Sequence, residues 1–151
     1  MKHLLVIRSS QTGRTAAMCR ALEAGARETQ GVELRSLHAP QAGLDDLLWA
    51  DGLVIGTPEN FGYMAGLVKD FLDRTYYPAE GRTVGLPSAL LISAGNDGSG
   101  AARAIERIAT GYGWKPVAEP LILHGEPDED GLRRCREIGQ ALAEGLAAGI
   151  F

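Results

Sequence analysis

The chain has 151 residues, enough for one domain over residues 1–151 that buries about two-thirds of its unfolded surface. Hydrophobic residues supply 45% and charged residues 23%, an ordinary globular balance. A formal net charge of −4 with no Lys/Arg cluster argues against a nucleic-acid partner, whose phosphates require a basic patch.

The chain opens Met1-Lys2-His3 and continues Leu4-Leu5-Val6-Ile7, an apolar run that stops at Arg8. It is too short for a signal-peptide core, and no later run approaches the ~20 residues of a membrane span. No membrane partner and a cytoplasmic location are therefore expected. Leu4 to Ile7 reads as a first strand, followed by a helix with Met18, Leu22 and Ala26 on its inner stripe. Val32 to Leu37 reads as a second strand, Trp49 falls in a second helical stretch, and Leu53 to Gly56 reads as a third strand. Met64, Leu67, Val68, Phe71, Leu72 and Thr75 then recur at helical spacing. Ala89 to Ser93 is the fourth strand, and Gly111 and Gly113 are placed to end the helix after it. A fifth strand is expected at Val117 to Leu123, and Leu132, Cys135, Ile138, Leu142 and Leu146 mark the last helix. Cys19 and Cys135 stand alone in helical patterns with no CxxC spacing and no companion histidine. Neither a disulfide framework nor a metal site is expected.

Strands alternating with helices specify an α/β fold with a parallel sheet. Strands one, three and four are continuous apolar runs, as in a sheet centre covered on both faces. Strand two alternates, and strand five carries Pro120 with Pro116 just before it, which places both at edges. The order 2-1-3-4-5 fits these edges, and its ligand crevice opens between strands one and three. The loops to examine are those after strands one, three and four.

The first loop, Ser9-Ser10-Gln11-Thr12-Gly13-Arg14-Thr15, runs straight into a helix, whose N-terminal amides form an anion site. Gly13 allows close approach of a phosphate, and Ser10, Thr12 and Thr15 offer hydroxyls. The alternative is that these residues only cap and turn the chain. No GxxxxGK(S/T) or GxGxxG is present, no cysteine nucleophile sits in the loop and no carboxylate cluster ends strand one. The run from Ser10 to Thr15 resembles the flavodoxin phosphate loop, (Ser/Thr)-x-Thr-Gly-x-(Thr/Asn). That family holds the phosphate of flavin mononucleotide (FMN) with hydroxyls and amides. Arg14 occupies the variable position, where it either points to solvent or adds a charge-assisted contact.

Thr57-Pro58-Glu59-Asn60-Phe61-Gly62-Tyr63-Met64, followed by Ala65 to Arg74, resembles a stretch of FMN-dependent quinone oxidoreductases. The tryptophan-repressor-binding-protein-like group and the wider NAD(P)H-dependent FMN reductases carry versions of it. The resemblance implies a flavodoxin-like three-layer sandwich with a five-stranded sheet, and a loop that wraps the isoalloxazine ring. Thr57, Pro58, Glu59, Asn60, Phe61 and Gly62 then border the flavin, with Phe61 touching the ring. The plainer reading makes Phe61 and Tyr63 packing aromatics. The third loop, Ser93-Ala94-Gly95-Asn96-Asp97-Gly98-Ser99-Gly100, closes the pyrimidine side by the same resemblance, and Asn96 or Asp97 is placed to cap the next helix. The tryptophan-repressor-binding-protein-like enzymes carry a longer insertion tied to their tetramer and a Tyr-Gly-His near the first loop. This chain has neither, so a homo-oligomer stays open. No histidine pairs with an orienting group, and no side chain is singled out as catalytic, since the flavin carries the redox chemistry.

The resemblance implies an FMN oxidoreductase that takes hydride from NAD(P)H and reduces a quinone or similar small-molecule acceptor. The alternative is a flavodoxin-type one-electron carrier that docks to redox partner proteins. A flavin-free scaffold is the weakest of the three readings.

Overall fold

A computed structural model describes all residues, 1–151. In chain order the elements are β1 (Lys2–Arg8), α1 (Arg14–Ala26), β2 (Val32–His38), α2 (Leu44–Trp49), β3 (Gly52–Asn60), β4 (Tyr63–Met64), α3 (Gly66–Ala79), β5 (Pro87–Ala94), α4 (Ser99–Tyr112), β6 (Lys115–Pro116), β7 (Leu121–His124) and α5 (Glu129–Ala147). A short 3₁₀ turn, Ala39–Gln41, lies between β2 and α2.

The parallel sheet runs β2-β1-β3-β5, with β6 and β7 both on the outer edge of β5. This is the expected 2-1-3-4-5 order with the last strand in two pieces. Lys115–Pro116 pairs with Pro87 and Ser88, and Leu121–His124 pairs with Leu91 to Ala94. Residues 117–120 leave the ladder between them. The two prolines explain the break, because neither Pro116 nor Pro120 has an N–H to give to β5. The β3 strand also runs past Gly56. Thr57 and Pro58 stay in register with Ile92 and Ser93, and Glu59 and Asn60 turn back on β4 as an antiparallel hairpin. Seven strands therefore stand where five were expected. Met64 belongs to β4 and not to the helix whose spacing it matched, and Gly111 lies inside α4 while Gly113 (φ 81°) ends it.

Alternation along the central strands fills two cores. Leu5, Ile7, Leu53, Ile55, Leu90 and Ile92 face α2, α3 and α4, where Val68, Phe71, Leu72 and Ile105 meet them. Leu4, Val6, Val54 and Leu91 face α1 and α5, against Met18, Leu22, Cys135, Leu142 and Leu146. The α1–α5 contact is the tightest between helices: a Cβ on Gly139 would lie 1.9 Å from the Leu22 carbonyl oxygen, and one on Gly25 would lie 2.0 Å from that of Arg136. Only glycine permits backbones this close. No helix is long and apolar enough to cross a membrane.

Candidate functional site

At the C-terminal edge of the sheet the loops after β1, β3 and β5 meet around a cleft of about 140 Å³. Gln11, Thr12, Arg14 and Thr15 come from the first loop, Pro58, Glu59 and Asn60 from the second, and Ser93, Ala94 and Gly95 from the third. All ten lining residues belong to the candidates read from sequence. A larger cavity, about 400 Å³, lies where residues 117–120 leave the sheet, toward the N-terminal start of β5. Its lining is mainly hydrophobic and includes no residue of the three loops.

The first loop presents a run of backbone amides without partners. Ser9 N–H bonds to the Gly56 carbonyl at 3.1 Å, and Ala16 N–H is taken by Ser10 Oγ at 3.2 Å. Between them the amides of Ser10, Gln11, Thr12, Gly13, Arg14 and Thr15 have no partner within the chain. Gly13, at φ 93°, turns the chain into α1 in a conformation that few other residues adopt. The first turn of α1 carries no acidic residue, and Gly13 provides no side-chain cap, so the positive end of the helix dipole is left uncompensated. Thr12 is exposed and its hydroxyl is free, whereas Thr15 is buried against Gly56 with its methyl. Arg14 is settled by neither sequence reading. Its Nε donates to Glu126 Oε1 at 3.1 Å, an ion pair with the loop before α5.

The second loop folds as a tight hairpin. Phe61 (φ 52°) and Gly62 (φ 76°) both have positive φ, as the two central residues of a type I′ turn must. Phe61 is the one non-glycine residue of the chain in that region, and it stands fully exposed at the apex. It neither packs in the core nor lines the cleft. Thr57 is buried and anchors the return of the chain by accepting the Ala65 N–H at 2.9 Å. The Glu59 side chain does not project freely into the cleft. Its Oε1 accepts the Gly98 N–H at 2.8 Å and its Oε2 the Ala101 N–H at 3.0 Å. The carboxylate thereby caps α4, the task that sequence gave to Asn96 or Asp97. The helix N-cap itself is Gly98 (φ 93°). Asp97 instead accepts the Ser99 hydroxyl at 2.5 Å, which together with the Ser99 amide holds its carboxyl below the usual range.

Ser10, Gly13, Thr57, Phe61, Gly62, Asn96 and Gly98 thus lie around the cleft without lining it. His124 Nε2 sits 2.8 Å from the Asp97 carbonyl oxygen and His3 stacks on Trp49 at 4.3 Å, and neither histidine lines the cleft. Sequence reasoning missed Glu126 and the capping role of Glu59. No local signal marks either one, because their partners lie 112 and about 40 positions away in the chain.

The sequence profile of the NADPH-dependent FMN reductase family matches residues 38–121, slightly more than half of the chain. A flavodoxin of Aquifex aeolicus is 32% identical over 97% of this chain and 88% of its own length. An NAD(P)H dehydrogenase (quinone) of Acidithiobacillus ferrooxidans is 34% identical, over 62% of this chain and 57% of that protein. The match therefore spans little more than half of that dehydrogenase. Among solved structures, a flavodoxin from the domain Archaea superposes with a TM-score of 0.86 at 23% identity, covering 95% of this chain and 98% of that one. At that identity the likeness is one of fold.

Proposed function

This chain belongs to the NADPH-dependent FMN reductase family, within the flavodoxin-like superfamily, and from that premise we propose that it is an NAD(P)H-dependent oxidoreductase that passes electrons through bound FMN to a quinone or similar acceptor. The observation that carries the reading is the unpartnered run of amides from Ser10 to Thr15 beside a cleft lined by all three loops. A phosphate monoester bears a charge of about −1.5 to −2 at neutral pH and strong acceptor oxygens. The amides, the Thr12 and Thr15 hydroxyls and the α1 dipole supply donors to match it. The cleft is smaller than the about 300 Å³ at which pockets begin to enclose a whole small ligand. It suits the phosphate end, and the ring is left toward the rim formed by Pro58 to Gly62 and Ser93 to Gly98.

FMN, when bound, supplies the redox chemistry by taking an electron pair from the nicotinamide and giving it up to the acceptor. The residues of the chain bind and orient. Thr57 fixes the base of the ring-side hairpin, and Glu59 fastens its flank to α4. The exposed Phe61 stands off the cleft, so no bulky side chain closes the rim against a nicotinamide.

The coverage of the Aquifex aeolicus flavodoxin favours the second reading, a carrier that exchanges electrons with redox partner proteins. Anaerobic stopped-flow mixing of the FMN-loaded protein with NADH and with NADPH separates the two. The oxidoreductase loses its oxidised-flavin absorbance rapidly with at least one nucleotide and without a lasting one-electron stage. Inertness toward both nucleotides, with a stable one-electron stage on stepwise chemical reduction, transfers the assignment to the carrier.

A further inference from the structure

Two helices begin at the same edge of the sheet with nearly the same cap. Gly13 has φ 93° and ψ −9°, and Gly98 has φ 93° and ψ −18°; neither provides a side-chain cap. Their amides meet different fates. At α1 the amides from Gly13 to Thr15 are unpartnered and only Ala16 N–H is taken, by Ser10 Oγ at 3.2 Å, whereas at α4 the Glu59 carboxylate takes Gly98 N–H at 2.8 Å and Ala101 N–H at 3.0 Å. Two of the amides at the α4 end are thereby satisfied from a distant part of the chain. Glu59 belongs to the hairpin and not to the loop before α4, so its carboxylate is also a tie between two of the three walls of the cleft. Close packing reinforces the tie. A Cβ on Gly100 would lie 2.1 Å from the Gly62 carbonyl oxygen and 3.3 Å from Glu59 Oε2, so the hairpin rests directly on the first turn of α4.

We propose that Glu59 is a positioning residue whose carboxylate joins the Thr57–Met64 hairpin to the start of α4, so that the wall facing the flavin ring is assembled before the cofactor binds. This rests on the FMN reading above. A charged acceptor shared by two amides is among the stronger hydrogen-bonding arrangements available to a partly buried side chain. An assembled wall lowers the ordering cost that a ligand otherwise meets on binding. The wall serves the ring and not the phosphate, and that distinguishes Glu59 from Thr12.

Glu59→Ala and Glu59→Gln variants test the assignment. Hydrogen exchange is measured on the apoproteins, and FMN and riboflavin affinities are measured well below the melting temperature of each variant. In Glu59→Ala, amide exchange accelerates both at Gly98 and Ala101 and in the β3–β4 hairpin. FMN and riboflavin then weaken together, by about tenfold or more. Glu59→Gln, which keeps the length and one acceptor, recovers part of both effects. Faster exchange confined to α4, with both flavins bound as in the parent, reduces Glu59 to a helix cap and overturns the proposal. A loss for FMN that spares riboflavin overturns it too, by placing Glu59 on the phosphate side. If the parent binds neither flavin the functional reading fails, while an unchanged hairpin in the exchange experiment still refutes the tie by itself.

Discussion

Replacing Thr12 by alanine isolates the phosphate side of the site. Thr12 is exposed, lines the cleft and makes no hydrogen bond within the chain, so its removal leaves no buried group unsatisfied. If its hydroxyl donates to a phosphate oxygen, the variant loses one charge-assisted hydrogen bond, about 1.5–3 kcal/mol. That corresponds to an FMN dissociation constant raised about ten- to hundredfold. The free amides of the loop remain, so binding is weakened and not abolished. Riboflavin, which lacks the phosphate, binds the variant as it binds the parent, and thermal unfolding of the apoprotein is unchanged. Ser10→Ala makes the contrast. Its Oγ accepts the Ala16 N–H at 3.2 Å, so this variant also loses about 1 kcal/mol of helix-cap stability. Fluorescence titration of both apoproteins with the two flavins, alongside their melting curves, is the measurement. A Thr12→Ala protein that binds FMN as tightly as the parent refutes the phosphate assignment of this hydroxyl.

Glu126→Gln releases Arg14 from its ion pair beside the cleft, and FMN affinity is expected to rise about two- to fivefold at low salt. In 1 M salt the gain disappears, because the Debye length falls to about 3 Å; a gain that survives salt contradicts the electrostatic account. Gly139→Ala forces a Cβ to 1.9 Å from the Leu22 carbonyl oxygen, a backbone atom that cannot swing aside. Denaturant unfolding should show a loss at the upper end of the about 1–3 kcal/mol of overpacking. Gly66→Ala, at the start of α3 with nothing within 4 Å of the new methyl, should gain about 0.4–1 kcal/mol. Burial pushes the Cys19 thiol up to about 12 and that of Cys135 up to about 11, above the value of 9.0 that both regain on unfolding. The unfolded chain therefore releases thiol protons first, and stability is unaffected below pH 9 but falls as pH rises from there toward 11 and 12. The slope is at most about 1.4 kcal/mol per pH unit per thiol, and Cys19→Ala should remove its share of it.

The sheet was legible because its central strands bury both faces. Leu4 to Ile7 and Ala89 to Ser93 have no polar residue to turn toward water until their ends, and Pro116 and Pro120 assign the fifth strand to an edge. The same prolines also hold the reason that this strand breaks in two, but a proline forbids a hydrogen bond without saying where the chain goes instead. The free amides of the first loop were legible because they depend on local backbone, a glycine turn followed at once by a helix. The role of Glu59 was not legible. A carboxylate in a loop fits a solvent-facing or a ligand-facing residue equally well, and the amides that claim it become neighbours only when β3 and β5 pair. Arg14 was left open for the same reason, since Glu126 reaches it only across the folded edge of the sheet.

Phe61 shows what these long-range ties hold in place. An aromatic residue at φ 52° is disfavoured by about 1–3 kcal/mol, and nothing within its own turn repays that cost, because the ring touches solvent. The conformation persists because the rest of the hairpin leaves no other. Thr57 fixes one end through Ala65, Glu59 fixes the flank through Gly98 and Ala101, and the Gly62 carbonyl abuts Gly100. A glycine at position 61 would relieve the strain with no loss of packing, so stability alone gives no reason for phenylalanine there. The strain at Phe61 and the clamps around it are therefore one balance: ties from Thr57, Glu59 and Gly62 to residues far along the chain hold a turn that its own apex residue disfavours.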